Sequence, residues 1–155
     1  MKRIISICLL FILIFITCAC TKTSKTTDAK EFIDLVYQIS KGDYKNGAVI
    51  DLRTLQNDPA GDDYDHGHIK GSLSYDFAGA DEKSFISWIT GLKSKKTTVL
   101  LIDRGLGEGE TIINYLKKAK YQKIIYYTQG YQTLKQDETF KTKIEEATGI
   151  EDCGC

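Results

Sequence analysis

The chain has 155 residues, with 21 basic and 21 acidic side chains and a hydrophobic fraction of 42%. That length holds about one domain, and the balanced charge lacks the basic excess that marks a nucleic-acid binder. Five cysteines lie at 8, 18, 20, 153 and 155, with none across the body of the chain, which is not the pattern of a disulfide scaffold.

The chain opens on Met1-Lys2-Arg3, and residues 4–16 are then apolar except for Ser6 and Cys8. This run is shorter than the roughly 20 apolar residues a bilayer span needs. A positive start followed by a short apolar stretch fits a secretory signal over residues 1–19. The next residues, Thr17-Cys18-Ala19-Cys20, resemble the lipobox of bacterial lipoproteins, with a small residue directly before a cysteine. The resemblance implies that Cys20 is acylated, with palmitate-type chains, and becomes the new N-terminus. Thr17 departs from the leucine-like residue usual at its place, and Cys18 fits less well as an acceptor because Thr17 precedes it. Two acyl chains, at about 0.8 kcal/mol per buried methylene, hold a domain stably on a membrane. The expected location is therefore the extracytoplasmic face of the cell membrane, with the lipid as anchor. Removal of Lys2 and Arg3 leaves 19 basic and 21 acidic groups, a net charge of 19 − 21 = −2.

Residues 20–27 comprise the lipidated cysteine and a run of Thr, Ser and Lys without an apolar residue, which reads as a flexible tether. A folded domain is expected over residues 28–150. Asp28 and Glu31 make a capping-box-like pair, and Phe32, Leu35, Val36 and Ile39 fall on one helical face that Gly42 ends. Residues 48–52 form a short apolar strand, and residues 72–77 a second one after a polar loop. Residues 81–92 are helical, with Phe85, Trp88, Ile89 and Leu92 at core spacing. Residues 97–102 are apolar on both faces and belong at the centre of a covered sheet. A glycine-rich loop, a helix over 110–119, a strand over 123–127 and a helix over 137–147 follow. Strands alternating with helices make an α/β domain with a mostly parallel sheet, whose ligands meet the loops at the strands' carboxyl ends. Those loops begin at Asp51 and Asp103.

Val49-Ile50-Asp51-Leu52-Arg53, Asp63-Tyr64 and Gly67-His68-Ile69-Lys70-Gly71-Ser72 together resemble the N-terminal signature of the rhodanese-like domain. The strand into Asp103, its glycine loop and the turn at Gly130-Tyr131 occupy the places of the family's active-site loop and final glycine turn. The resemblance covers residues 48–134. The chain departs from it in the loop between Arg53 and Asp63, longer than is common, in Lys70 where proline is frequent and in Ser72 where alanine is. Read as residues, these signature positions are structural. Asp51 and Arg53 can pair or cap backbone, Gly67 and Gly71 permit turn conformations, His68 hydrogen-bonds within its turn, and His66 is a solvated loop residue.

The family resemblance implies a catalytic cysteine at the end of the central strand, whose thiolate takes sulfur from a donor such as thiosulfate. Here the stretch is Asp103-Arg104-Gly105-Leu106-Gly107-Glu108, with Glu110 following. Asp103 stands at the nucleophile position. A carboxylate can lie in a cradle of N–H groups as an anion, yet it cannot accept a sulfane sulfur. Glu108 and Glu110 add negative charge where an anionic donor would bind, and they also suit the first turn of a helix. A hard-cation site on Asp103, Glu108 and Glu110 is the alternative, and the capping role is preferred, so no metal and no cofactor is expected. The expected function is a non-catalytic binding module, an inactive homologue with an unidentified protein or small-anion ligand. The alternative is a sulfurtransferase or thiol-redox protein that uses Cys153 or Cys155 in the terminal segment 151–155. A zinc site drawing on His66, His68 and those thiols has suitable ligand types but no supporting local spacing.

Overall fold

The structure, a computed structural model, describes residues 21–78, 81–145 and 150–151. Its centre is a five-stranded sheet built from β1 (Lys22–Thr26), β2 (Gly47–Asp51), β4 (Leu73–Ser74), β5 (Thr98–Ile102) and β6 (Lys123–Tyr127), in the order β1-β6-β5-β2-β4. Every pairing in that sheet is parallel. A second, two-stranded antiparallel ladder joins β3 (His68–Ile69) to β7 (Ile150–Glu151). The helices are α1 (Ala29–Ser40), α2 (Glu82–Leu92), α3 (Glu108–Lys118), α4 (Tyr131–Lys135) and α5 (Glu138–Phe140), which runs into a π-helical turn, Lys141–Glu145.

β5 is buried at all five positions, as its two-sided apolar pattern requires. Its side chains divide by alternation. Leu100 and Ile102 join Val49, Ile125 and Tyr127 against α1, α4 and the π turn, with Phe32, Ile33, Val36, Leu134 and Phe140 completing that layer. Val99 and Leu101 face the opposite way, with Ile50, Ile124 and Tyr126, against Phe85 and Ile89 of α2 and Ile112, Ile113 and Leu116 of α3. Two apolar layers on one parallel sheet give the expected α/β architecture.

The helix starts carry the caps expected of their sequences. The Asp28 side chain accepts the Glu31 N–H at 3.0 Å, and Asp81 accepts the Ser84 N–H at 3.0 Å. The first helix ends at Ser40, and Gly42 follows with φ +80°.

Four sequence expectations require correction. Residues 21–27 are not a free tether, because Lys22–Thr26 forms β1 alongside β6. A parallel edge strand needs backbone pairing on one side only, so a polar Lys-Thr-Ser-Lys-Thr segment serves without apolar residues, and such composition keeps an edge from pairing further. The strand expected over 72–77 contracts to Leu73–Ser74, since beyond that point the chain pairs with β2 through Tyr75 N–H to Asp51 O alone. The helix expected from 110 begins at Glu108 instead, set by Gly107 at φ +91°. Of the helix expected over 137–147, residues 138–145 form a short α5 and a π turn, residues 146 and 147 lie outside the described residues, and α4 precedes it unanticipated.

The signal residues 1–19, Cys20 and the thiols Cys153 and Cys155 lie outside the described residues. Among the described residues, no helix is long and apolar enough to cross a membrane.

Candidate functional site

The carboxyl ends of the parallel strands bring together the loops that begin at Asp51 and Asp103 and the turn before α4. Leu52 N–H donates to Ile102 O, and Tyr131 N–H donates to Asp103 O at 2.8 Å, so the three loops are tied by backbone bonds.

Asp103 follows β5 and is fully buried. One oxygen, Oδ1, accepts the Gly105 N–H at 2.7 Å. The other, Oδ2, accepts the Gly109 N–H at 3.0 Å and the Tyr126 O–H at 2.6 Å. The loop therefore does form an N–H cradle, and the chain's own carboxylate fills it. Burial pushes the Asp103 carboxyl above the ordinary carboxylate range, and the neighbouring Glu108 charge adds to this against the three hydrogen bonds. The Tyr126 hydroxyl is held far above its usual value, by burial first and by its bond to Asp103 second, so it stays protonated as a donor.

Gly109 is what lets Tyr126 reach Asp103. A Cβ at position 109 would lie 2.4 Å from a carbon of the Tyr126 ring, closer than any real contact. The ring packs against bare helix backbone, and its hydroxyl reaches the cradle.

The remaining acids of the loop turn elsewhere. Glu108 is 8% exposed and takes two hydrogen bonds on Oε1 from Arg104, at 3.1 and 2.7 Å, while its Oε2 is buried without a hydrogen-bond partner. Arg104 also contacts Asp58 Oδ2 at 3.3 Å. Its guanidinium is held above its ordinary value, chiefly by the hydrogen bonds to Glu108. Glu110 pairs with Lys25 of β1 at the surface. Asp103, Glu108 and Glu110 thus point to three different partners rather than converging, and no group of three or more His, Cys, Asp or Glu among the described residues is arranged to hold a metal ion. Leu106, at the tip, is 75% exposed.

The signature residues form the wall behind this loop. Arg53 is 1% exposed and binds both oxygens of Asp51, at 2.7 to 3.1 Å. It also donates to Asp62, to the Asp63 carbonyl and to the Gly67 carbonyl, and it stacks 3.6 Å from the centre of the Tyr131 ring. Gly67 and Gly71 have φ +128° and +77°. His68 is buried, with Nδ1 3.0 Å from the Tyr64 carbonyl and its ring stacked on Tyr64 at 3.7 Å. His66 is 65% exposed at its side chain, yet it bonds Asp63 at 2.6 Å. Those contacts hold Asp63 below the ordinary carboxylate range although its burial opposes them.

Sequence reasoning missed Tyr126 and Asp58 as parts of this site and placed Tyr131 only in the final glycine turn. A tyrosine in a buried strand reads as core, and only the pairing of Tyr126 with a helix-start glycine hints at close approach. Asp58 lies in the enlarged loop, which folds back over Arg104.

A model of the rhodanese-like domain matches residues 33–137 of the chain. The chain belongs to the rhodanese-like domain family. Among solved structures, a crystal structure of the Alr3790 protein from Anabaena sp. aligns with a TM-score of 0.52 at 13% identity, over 83% of this chain and 90% of that one. A solution structure of the rhodanese-like domain of that Anabaena protein aligns with a TM-score of 0.52 at 14% identity, over 85% and 80%. At such identities the likeness speaks for the fold alone. No curated protein matches the chain. In this rhodanese-like domain none of the described residues is a cysteine, and the cradle after β5 is built around a carboxylate.

Proposed function

We propose that this rhodanese-like domain is held at the outer face of a membrane by lipid on Cys20 and acts there as a non-catalytic module that binds a protein or a small anion. The observation that carries the non-catalytic part is the occupation of Asp103: both oxygens are taken by two N–H groups and a phenol, and the side chain is fully buried. Sulfur transfer needs a polarisable thiolate with room for a sulfur atom. A carboxylate oxygen already satisfied in the cradle supplies neither. The loop's cation offers no substitute, because Arg104 is shared between Glu108 and Asp58. Anchoring rests on the signal-like start and the lipobox-like Thr17-Cys18-Ala19-Cys20.

A thiosulfate:cyanide assay tests the reading. The expected rate is that of buffer alone, for the wild-type domain and for Asp103→Asn alike. Robust turnover that vanishes on changing Asp103 alone would refute it. Mass analysis of the membrane-extracted protein checks the anchor, where a mature chain beginning at a diacylated Cys20 is the expected species and an unmodified Met1 start is the contrary one.

One observation favours a second reading through the terminal thiols. In the β3–β7 ladder Glu151 lies opposite His68, which brings the chain two residues before Cys153 to the signature turn. Under this reading, polysulfide treatment adds sulfur mass to the peptide holding Cys153 and Cys155. An unmodified peptide ends it.

A further inference from the structure

The loops at the amino ends of the parallel strands lie opposite the Asp103 site, and their composition is different. The turns 41–46, 93–97 and 119–122 carry Lys41, Lys45, Lys93, Lys95, Lys96 and Lys120 against a single acid, Asp43. Lys22 opens β1 at this same end, because β1 runs parallel to β6 with Lys22 opposite Lys123. Backbone bonds draw these turns into one row: Lys22 N–H donates to Gln122 O, Gln122 N–H to Lys95 O, and Thr98 N–H to Asn46 O. Lys22, Lys45, Lys95, Lys96 and Lys120 are all exposed. Tyr44, half-buried, lies among them with Lys123 Nζ 3.2 Å from its hydroxyl, beside an open hollow of about 380 Å³ lined also by Asp43, Lys45, Asn46, Lys96 and Thr98.

A second feature points at the same end. With β1 starting at Lys22, only Thr21 separates the strand from Cys20, so an anchor there has almost no slack. An acyl chain on Cys20 would enter the bilayer beside the lysine row, and the sheet would stand on end over the headgroups.

We propose that this lysine-rich edge is a docking face for anionic phospholipid, which seats the domain on the membrane with the Asp103 loop turned outward. The inference deepens the anchored reading and rests on it for the source of the membrane. A net charge of −2 does not oppose it. Five-residue strands at about 3.3 Å each set the acidic loops roughly 16 Å away, beyond the screening length of about 8 Å at physiological salt. The surface therefore meets the lysines without feeling most of the acids. Lysines close to an anionic leaflet each add to the attraction, and a tyrosine among them suits the headgroup layer.

The test uses the chain from Thr21 onward, which contains every strand and core residue described above and no acyl group. Its partition is measured by co-sedimentation with vesicles of phosphatidylcholine alone and with phosphatidylglycerol added, at about 0.05 M salt, where screening is weak. Binding to the anionic vesicles only is expected, with loss of at least about tenfold when Lys22, Lys45, Lys95 and Lys96 are all changed to Gln. Changing Lys30, Lys83, Lys135 and Lys141 to Gln removes the same charge away from that edge and should leave partition within about twofold. Equal binding to both vesicle types overturns the proposal, and so does equal loss in the two quadruple variants. Because no lipid is attached in this assay, its outcome is independent of whether Cys20 is acylated, which the mass analysis decides separately.

Discussion

Replacing Arg53 by Met should destabilise the domain by about 3–5 kcal/mol, the cost of removing one partner from a buried ion pair. The guanidinium is almost wholly enclosed and holds both oxygens of the Asp51 carboxylate. It also satisfies the carbonyls of Asp63 and Gly67 and one oxygen of Asp62. Methionine fills part of the volume against Tyr131, so the loss reports the stranded polar groups rather than a cavity. Burial alone would lower the arginine's proton affinity, but Asp51 more than offsets this and holds the guanidinium above its usual value. Arg53→Lys keeps the charge yet brings three rotatable donors instead of a fixed fork of five, and an intermediate loss of about 2 kcal/mol is expected. Urea midpoints of the three proteins measure the series. A Met variant within about 1 kcal/mol of wild type would mean that Asp51 finds other donors, and that the Arg53 network is dispensable.

This network explains why part of the site was legible in the sequence. Asp-x-Arg at a strand end, followed by a Gly-His-Ile turn, brackets a loop whose backbone carbonyls must be met by some buried donor, and Arg53 is the donor long enough to reach them. The central strand and the helices with Asp caps were legible for equally local reasons, since periodicity and capping residues are written in consecutive positions. What was hidden depends on contacts between distant residues. β1 is polar and takes its order from β6, about a hundred positions along the chain. Asp58 gains its place over Arg104 only when the long loop folds back. Tyr126 sits in a run of buried apolar residues, and its hydroxyl becomes part of the cradle because α3 starts at Glu108, two residues earlier than expected, and sets Gly109 against the ring.

Tyr126→Phe is the companion experiment at the cradle, and it carries a pH signature. The substitution deletes one donor to Asp103 Oδ2 and leaves the ring packed against Gly109. A lost hydrogen bond to a buried charged acceptor costs about 1.5–3 kcal/mol. Asp103 already has a raised carboxyl, with burial as the main cause, so between the unfolded value near 3.9 and the folded value the native protein holds more protons than the unfolded chain. Stability from this group therefore falls as pH rises through that window. Without the phenol the folded value moves higher still, because one of the bonds that favoured the ionised form is gone. The variant should then lose most at pH values above the window, where Asp103 must be charged in both states, and less as the pH falls and the carboxyl takes up its proton in the fold. Urea midpoints of wild type and variant should be farthest apart at alkaline pH and draw together as the pH falls. A gap that stays constant, or widens in acid, would show that Asp103 does not carry the charge in this cradle, and would remove the physical basis for treating it as an internal anion in the place of a ligand.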